Sequence, residues 1–267
     1  MISLLKRLVR AGFSSVGLDV HRIGRPHVTE PAQPQALVPD IPRAILRPKA
    51  TYAPWLADAA FNGIYEVIRP HTVVDLYRCY ELWTLASRLA HLPGDVIEIG
   101  VWRGGTGALI AHKVRTVAPD RVVYLCDTFT GVVGAGHRDT QYKGGEFANT
   151  SVEIVDELIA RLGLNNTRIL AGIFPHETGA QVTANRLALV HIDVDTHDSA
   201  KWCFEWTWPR MVPGGATVFD DYGIQGCDGV TRMVNAICEP DAAVIYNLNG
   251  HAIVLKSPVS PSNIISR

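Results

Sequence analysis

Five short apolar runs, interleaved with helix-like segments, constrain this chain more than any other feature. They are Asp95–Gly100 (DVIEIG), Val122–Asp127 (VVYLCD), Thr167–Gly172 (TRILAG), Leu187–Asp193 (LALVHID) and Ala216–Asp221 (ATVFDD). Runs that are apolar almost throughout, rather than in alternation, predict strands buried on both faces. That is the pattern of a parallel sheet covered by helices. Each run closes in Gly or Asp, so small or acidic residues collect at the carboxyl ends of the strands, the edge at which open α/β sheets bind ligands. Two further runs, Ala242–Asn247 and Ala252–Lys256, are joined through Leu248-Asn249-Gly250-His251. Asn-Gly favours a type I′ turn because both residues tolerate positive φ, so this pair predicts an antiparallel hairpin. The expected fold is α/β: a mostly parallel, seven-stranded, Rossmann-like sheet ending in an antiparallel hairpin. Ordinary dinucleotide-binding domains lack that ending.

The chain ahead of the runs reads differently. Residues 24–54 carry seven prolines: Pro26, Pro31, Pro34, Pro39, Pro42, Pro48 and Pro54. A segment so rich in residues without an amide donor predicts an extended arm. Before it, Ile2, Leu4, Leu5, Leu8 and Val9 fall at helical spacing opposite Lys6, Arg7 and Arg10. Those cations interrupt the apolar run that a secretion signal requires. The helix packs on its own protein or on a dimer partner, or it lies on an anionic membrane surface through residues 1–12. The chain therefore divides into an amphipathic helix and arm at 1–56 and a sheet domain at 57–267. Residues 57–92 form a helical lead-in, with Val73, Leu76, Tyr77, Tyr80, Trp83 and Leu85 as the expected buried face.

Composition excludes several classes. A net charge of −1 over 267 residues gives no electrostatic case for nucleic acid. No stretch reaches the ~20 apolar residues of a membrane span. The five cysteines (Cys79, Cys126, Cys203, Cys227, Cys238) are scattered, with no metal-binding spacing. They read as reduced thiols of a cytoplasmic protein, with peripheral contact at the inner membrane surface as the one extension.

Three constellations carry chemistry. The first, Glu98-Ile99-Gly100-Val101-Trp102-Arg103-Gly104-Gly105-Thr106-Gly107, follows the first strand. Its glycines permit a sharp strand-to-helix turn and close approach of a ligand, but their spacing is not GxGxxG. Glu98 suits a cationic ligand such as a sulfonium amino acid better than a pyrophosphate. The second is Asp127, placed to accept hydrogen bonds from ribose hydroxyls, which NAD and S-adenosylmethionine share. The third joins His191-Ile192-Asp193-Val194-Asp195-Thr196-His197-Asp198 with Phe219-Asp220-Asp221-Tyr222-Gly223. On neighbouring strands Asp193, Asp220 and Asp221 converge, and three carboxylates repel unless a cation neutralises them. Oxygen ligands alone select a hard ion, Mg²⁺ first, then Mn²⁺ or Ca²⁺. A cation can hold an alcohol oxygen and lower its pKa; a nearby base then takes the proton, Asp195 first and His197 second.

In these words the chain resembles the macrocin O-methyltransferase-like family, whose members methylate sugar hydroxyls of glycosylated natural products. The matching segments are Gly94–Gly105 (GDVIEIGVWRGG), Asp127–Gly131 (DTFTG), His191–Asp195 (HIDVD), Pro213–Gly215 (PGG) and Asp220–Gly223 (DDYG), in order across residues 70–256. The resemblance implies a class I methyltransferase fold, S-adenosylmethionine as donor, Mg²⁺ at Asp193, Asp220 and Asp221, and Asp195 as general base. The donor is then expected against Glu98, Gly100, Trp102, Gly104, Gly105, Asp127, Thr128, Gly172 and Asp193. The acceptor is expected to be a sugar-containing small molecule or a glycan. Two departures bear on that acceptor. Thr196-His197-Asp198 stands where members often carry a tyrosine and an acidic residue, and the glycine-rich loop Val132–Phe147 looks individual and suggests a lid. Rival readings are a metal-dependent methyltransferase for phenolic or catechol acceptors, a non-catalytic donor-binding protein, and a NAD-dependent oxidoreductase. Self-association is a further expectation.

Overall fold

The computed structural model describes residues 41–47 and 49–258. The helix expected at 1–12, its membrane or dimer contact, and most of the arm lie outside the described residues. From Leu46 onward the described chain belongs to one compact unit, which carries the sheet.

The lead-in forms two helices. In α1 (Ala59–Ile68), the carboxylate of Asp58 caps the first turn by accepting from the Phe61 amide at 2.9 Å. A turn of 3₁₀ helix at Arg69–His71, with Pro70 inside it, ends that element. In α2 (Leu76–Arg88), Asp75 caps the start by accepting from the amides of Tyr77 and Arg78. Restarting the helix at Asp75 fixes its rotation, and the buried stripe is Arg78, Cys79, Leu82, Trp83 and Ala86. This corrects the expected face. Trp83 is buried and Leu76, Tyr80 and Leu85 pack partly, but Val73 and Tyr77 are 63% and 58% exposed.

The sheet holds β1 (Asp95–Ile99), β2 (Val123–Asp127), β3 (Thr167–Ala171), β4 (Leu187–Ile192), β5 (Met211–Phe219), β6 (Ala242–Tyr246) and β7 (Ala252–Lys256) in the order β3-β2-β1-β4-β5-β7-β6. β1 to β5 pair in parallel, and β7 runs antiparallel to both β5 and β6. Helices α3 (Gly105–Val117), α4 (Val152–Arg161), α5 (His197–Thr207) and α6 (Asp228–Asn235) complete the domain. All seven expected strands form, most within one or two residues of the predicted limits, while β5 begins five residues earlier, at Met211. The hairpin turn differs in detail. Positive φ falls on Leu248 (52°) and Gly250 (100°), not on Asn249 and Gly250, and the Asn247 amide donates to the His251 carbonyl across three intervening residues. Asn249 contributes its side chain, which accepts from the His251 amide at 2.9 Å.

Register explains why one edge becomes a site. Ile99 lies opposite Cys126 and Ile192, and Ile192 lies opposite Phe219. The next residue on each strand therefore falls in one row: Gly100, Asp127, Asp193 and Asp220. The strand order reverses between β1 and β4, the switch point where such sheets open a crevice.

Candidate active site

A cleft of about 930 Å³, counting its open mouth, sits on that row. Gly100 makes the approach possible. A Cβ at this position would lie 1.7 Å from the Asp193 carbonyl oxygen, and its φ is +90°, so only glycine lets β1 turn so close to the end of β4. On the β1–β2 side the Asp127 carboxylate accepts from the amides of Trp102 (2.8 Å) and Phe129 (2.7 Å). Burial raises its pKa above the usual carboxylate range although these two donors pull it down. Each carboxylate oxygen keeps acceptor capacity toward the cleft. Thr128, Gly172, Cys126 and Phe174 line the wall beside it, and Trp102 lies along the other side.

Three expected donor residues sit elsewhere. Glu98 is fully buried behind the strand end, 2.7 Å from Nδ1 of His191, and does not line the cleft. Gly104 and Gly105 are also outside the lining. A Cβ on Gly104 would press into Val155 of α4, and one on Gly105 would meet the His71 carbonyl at 2.6 Å. These glycines serve helix packing. The sequence motif pools two requirements, ligand approach and close packing, that the fold separates.

The β4–β5 side is acidic. One ligand oxygen each from Asp193, Asp220 and Asp221 lies within 4.8 Å of the others. Burial and mutual repulsion push Asp193 and Asp221 well above the ordinary carboxylate range. Burial would raise Asp220 too, but His251 and Arg78 outweigh it and hold its carboxyl down at about 2. The Arg78 guanidinium is 2.5 Å from Asp220 and 2.8 Å from Asp75. Asp195 also lines the cleft, and burial pushes it up to about 6 despite hydrogen bonds from Tyr142 and with Asp221. His197, the second candidate base, lies outside the lining, with Nδ1 held 2.6 Å from Asp198. Among the described residues six non-glycines take positive φ, and four of them (Trp102, Phe147, Asp195 and Asp221) line the cleft. Backbone strain gathered in this way is a mark of functional sites.

Loop residues Val132, Val133, Tyr142 and Phe147 supply the remaining wall. The Val133 carbonyl accepts from Thr196 (2.9 Å) and Ser199 (2.8 Å), and Asp139 accepts from the His197 amide at 2.9 Å. The expected lid is thus tied to the start of α5. Tyr142 belongs to the expected lid loop, whereas Arg78 was not foreseen from the sequence. Nothing local marks Arg78, because its partner Asp220 lies 142 positions away in the chain.

Residues 70–242 match the family described as Macrocin-O-methyltransferase (TylF). The chain is 30% identical over 195 residues to the mycinamicin III 3''-O-methyltransferase of Micromonospora griseorubida, covering 66% of this chain and 75% of that protein. It is 32% identical over 169 residues to the 8-demethyl-8-(2,3-dimethoxy-alpha-L-rhamnosyl)-tetracenomycin-C 4'-O-methyltransferase of Streptomyces olivaceus, covering 59% of this chain and 64% of the other, just under two thirds of its length. The solved structure of the O-methyltransferase NovP superposes with a TM-score of 0.62 at 22% identity, over 70% of this chain and 82% of that one. The fold is that of class I O-methyltransferases, and the chain belongs to the macrocin-O-methyltransferase family.

Proposed function

We propose that this O-methyltransferase moves the methyl group of S-adenosylmethionine to a hydroxyl of a sugar moiety on a glycosylated natural product or surface glycan, with a divalent cation at Asp193, Asp220 and Asp221. The observation that carries the reading is the division of the cleft. One carboxylate with free acceptor capacity, Asp127, stands at one end, and four crowded carboxylates stand at the other. The names of two relatives, one of them a rhamnosyl compound's 4'-O-methyltransferase, support a sugar acceptor.

The residues present fit a hard cation. The donor set is all oxygen, Asp221 Oδ2 is buried without a hydrogen-bond partner, and repulsion within the cluster remains uncompensated at Asp193 and Asp221. Mg²⁺ suits it, with Mn²⁺ the alternative. When bound, such an ion supplies Lewis acidity that lowers the pKa of an acceptor hydroxyl. The chain's own groups do the rest. Asp127 receives the donor's ribose hydroxyls. Val132, Val133 and Phe147 exclude water from the cleft. Asp195, oriented by the Tyr142 hydroxyl, takes the acceptor's proton on its carboxylate. Asp195 is preferred to His197 because it lines the cleft while the imidazole is engaged by Asp198.

Calorimetric titration with S-adenosylmethionine and with NAD, on wild type and Asp127→Ala, tests the donor. Selective S-adenosylmethionine binding that fails in the variant is expected; a folded wild type that binds only NAD overturns it. An acceptor panel of rhamnosyl and related glycosides against catechols, read by mass spectrometry with and without Mg²⁺, tests the rest. Turnover of catechols alone would remove the sugar from the proposal, and full turnover in chelator would remove the metal.

A further inference from the structure

Behind the acidic cluster lies a second set of metal-type donors that the methyl-transfer chemistry does not use. His191 on β4 and His251, the residue just before β7, are both fully buried, with ring centroids 5.8 Å apart. Each presents Nδ1 to a carboxylate, His191 to Glu98 at 2.7 Å and His251 to Glu81 at 2.5 Å. A carboxylate on Nδ1 holds that nitrogen as the N–H and leaves Nε2 as the lone-pair atom. This is the arrangement that orients histidines bound to metal ions. Both Nε2 atoms are buried; that of His191 has no hydrogen-bond partner, and that of His251 faces Asp220 Oδ1 at 2.8 Å. One ligand atom from each of His191, His251 and Asp220 lies within 4.8 Å of the others.

We infer that His191, His251 and Asp220 form a buried site for a transition-metal ion of the zinc class, distinct from the oxygen-only cluster and joined to it through Asp220. Two imidazoles and one carboxylate select a borderline ion such as Zn²⁺ over Mg²⁺, which takes oxygen ligands. The rival occupant is a proton on His251, which its neighbours Glu81 and Asp220 favour. That proton accounts less well for the geometry. A proton on His251 Nε2 would satisfy Asp220 Oδ1, 2.8 Å away, but would leave His191 Nε2 a buried acceptor with no donor. An ion satisfies all three atoms at once, with a small closure of the donors around it. It would staple β4, β5 and β7 beneath the catalytic edge. The inference stands independently of the acceptor and of Mg²⁺.

The test uses the full chain, purified without a histidine tag or chelator, and counts metals per chain by mass spectrometry. About one equivalent of zinc is expected in wild type and in Asp193→Asn. His191→Gln and His251→Gln should retain several-fold less while still binding S-adenosylmethionine. Independently of how those variants fold, Co²⁺ titration of metal-stripped wild type gives a second reading, with visible d–d absorption that Zn²⁺ abolishes and excess Mg²⁺ does not. Folded wild type with neither zinc nor a Co²⁺ spectrum overturns the site, as does zinc held equally by folded His251→Gln. Loss of methyl transfer with zinc retained would instead count against the proposed function alone.

Discussion

The two ends of the cleft are built from the same strand-end row but solve opposite problems. At the β1–β2 end a single carboxylate, Asp127, is held by two backbone amides, and glycines give the backbone room. At the β4–β5 end four carboxylates crowd together, and Arg78 is the guanidinium placed among them. The first end is a finished recognition surface. The second is electrostatically unfinished, since two of its carboxyls are driven far above their ordinary range. The comparison suggests that one end is organised by packing and the other awaits positive charge.

The largest effect should come where the two ends touch. Gly100→Ala places a Cβ 1.7 Å from the Asp193 carbonyl in a left-handed backbone. Neither β1 nor β4 can retreat without breaking the parallel pairing between them, so a cost of about 4 kcal/mol or more is expected. Thermal unfolding should show a collapsed or absent transition. A soluble Gly100→Ala protein with near wild-type melting would mean the two ends are not locked together.

Next come changes confined to the acidic end. Asp195→Asn should lower kcat by ~10²- to 10⁴-fold with little change in donor affinity, as expected for loss of a general base. His197→Gln should leave kcat within a few-fold, because that ring lies outside the cleft. Reversal of that order in steady-state kinetics would move the base to the histidine. Asp193→Asn should separate stability from activity. Removing one of the repelling charges should raise the metal-free melting temperature by a few degrees, while methyl transfer drops by a comparable ~10²-fold or more. A lower melting temperature would show the cluster is not strained by repulsion.

Much of this contrast was legible in the sequence, and the illegible part has a physical reason. Strand runs announce themselves because burial on both faces makes them continuously apolar, and a carboxylate at a strand end is placed by register alone. The ends of β1, β2, β4 and β5 were therefore readable together with Asp127, Asp193, Asp220 and Asp221. Side-chain partners set by long-range packing leave no local trace. Arg78 meets Asp220 across 142 positions of chain, and Glu98 meets His191 across 93. Glu98 looked like a donor ligand because strand alternation cannot say whether a buried residue near an edge faces the cleft or the helix behind it. The rotation of α2 was misread for a related reason. Pro70 and Asp75 break the lead-in into two helices, so a single periodicity laid across both placed Tyr77 inside.

A smaller effect is expected at the finished end. Asp127→Asn keeps the shape but replaces one acceptor oxygen with a donor amide. S-adenosylmethionine affinity should fall by about 10- to 100-fold, the loss of one or two charge-assisted hydrogen bonds, with Mg²⁺ binding unchanged. The pH dependence has a definite sign. Burial raises the Asp127 pKa, so the carboxyl protonates earlier on acidification than an ordinary Asp. Hydroxyl donors prefer the ionised form, so affinity should be full at neutral pH and should weaken as the solution is acidified. Titrations across pH that show tighter binding in acid would break the assignment.

The smallest effect is the one that most sharpens the comparison. Gly104 belongs by sequence to the glycine-rich turn, yet its missing Cβ would meet Val155 Cγ1 of α4 at 2.9 Å, and it does not line the cleft. Its φ of +83° adds backbone strain to that contact. Gly104→Ala should therefore cost about 1–2 kcal/mol of stability, a shift of a few degrees in melting temperature, because a valine side chain can give by a few tenths of an ångström. Donor affinity of the folded variant should stay within two-fold of wild type. If affinity falls tenfold while melting is unchanged, the turn reads the ligand directly, and the division between a packed end and a charged end would have to be redrawn at the start of α3.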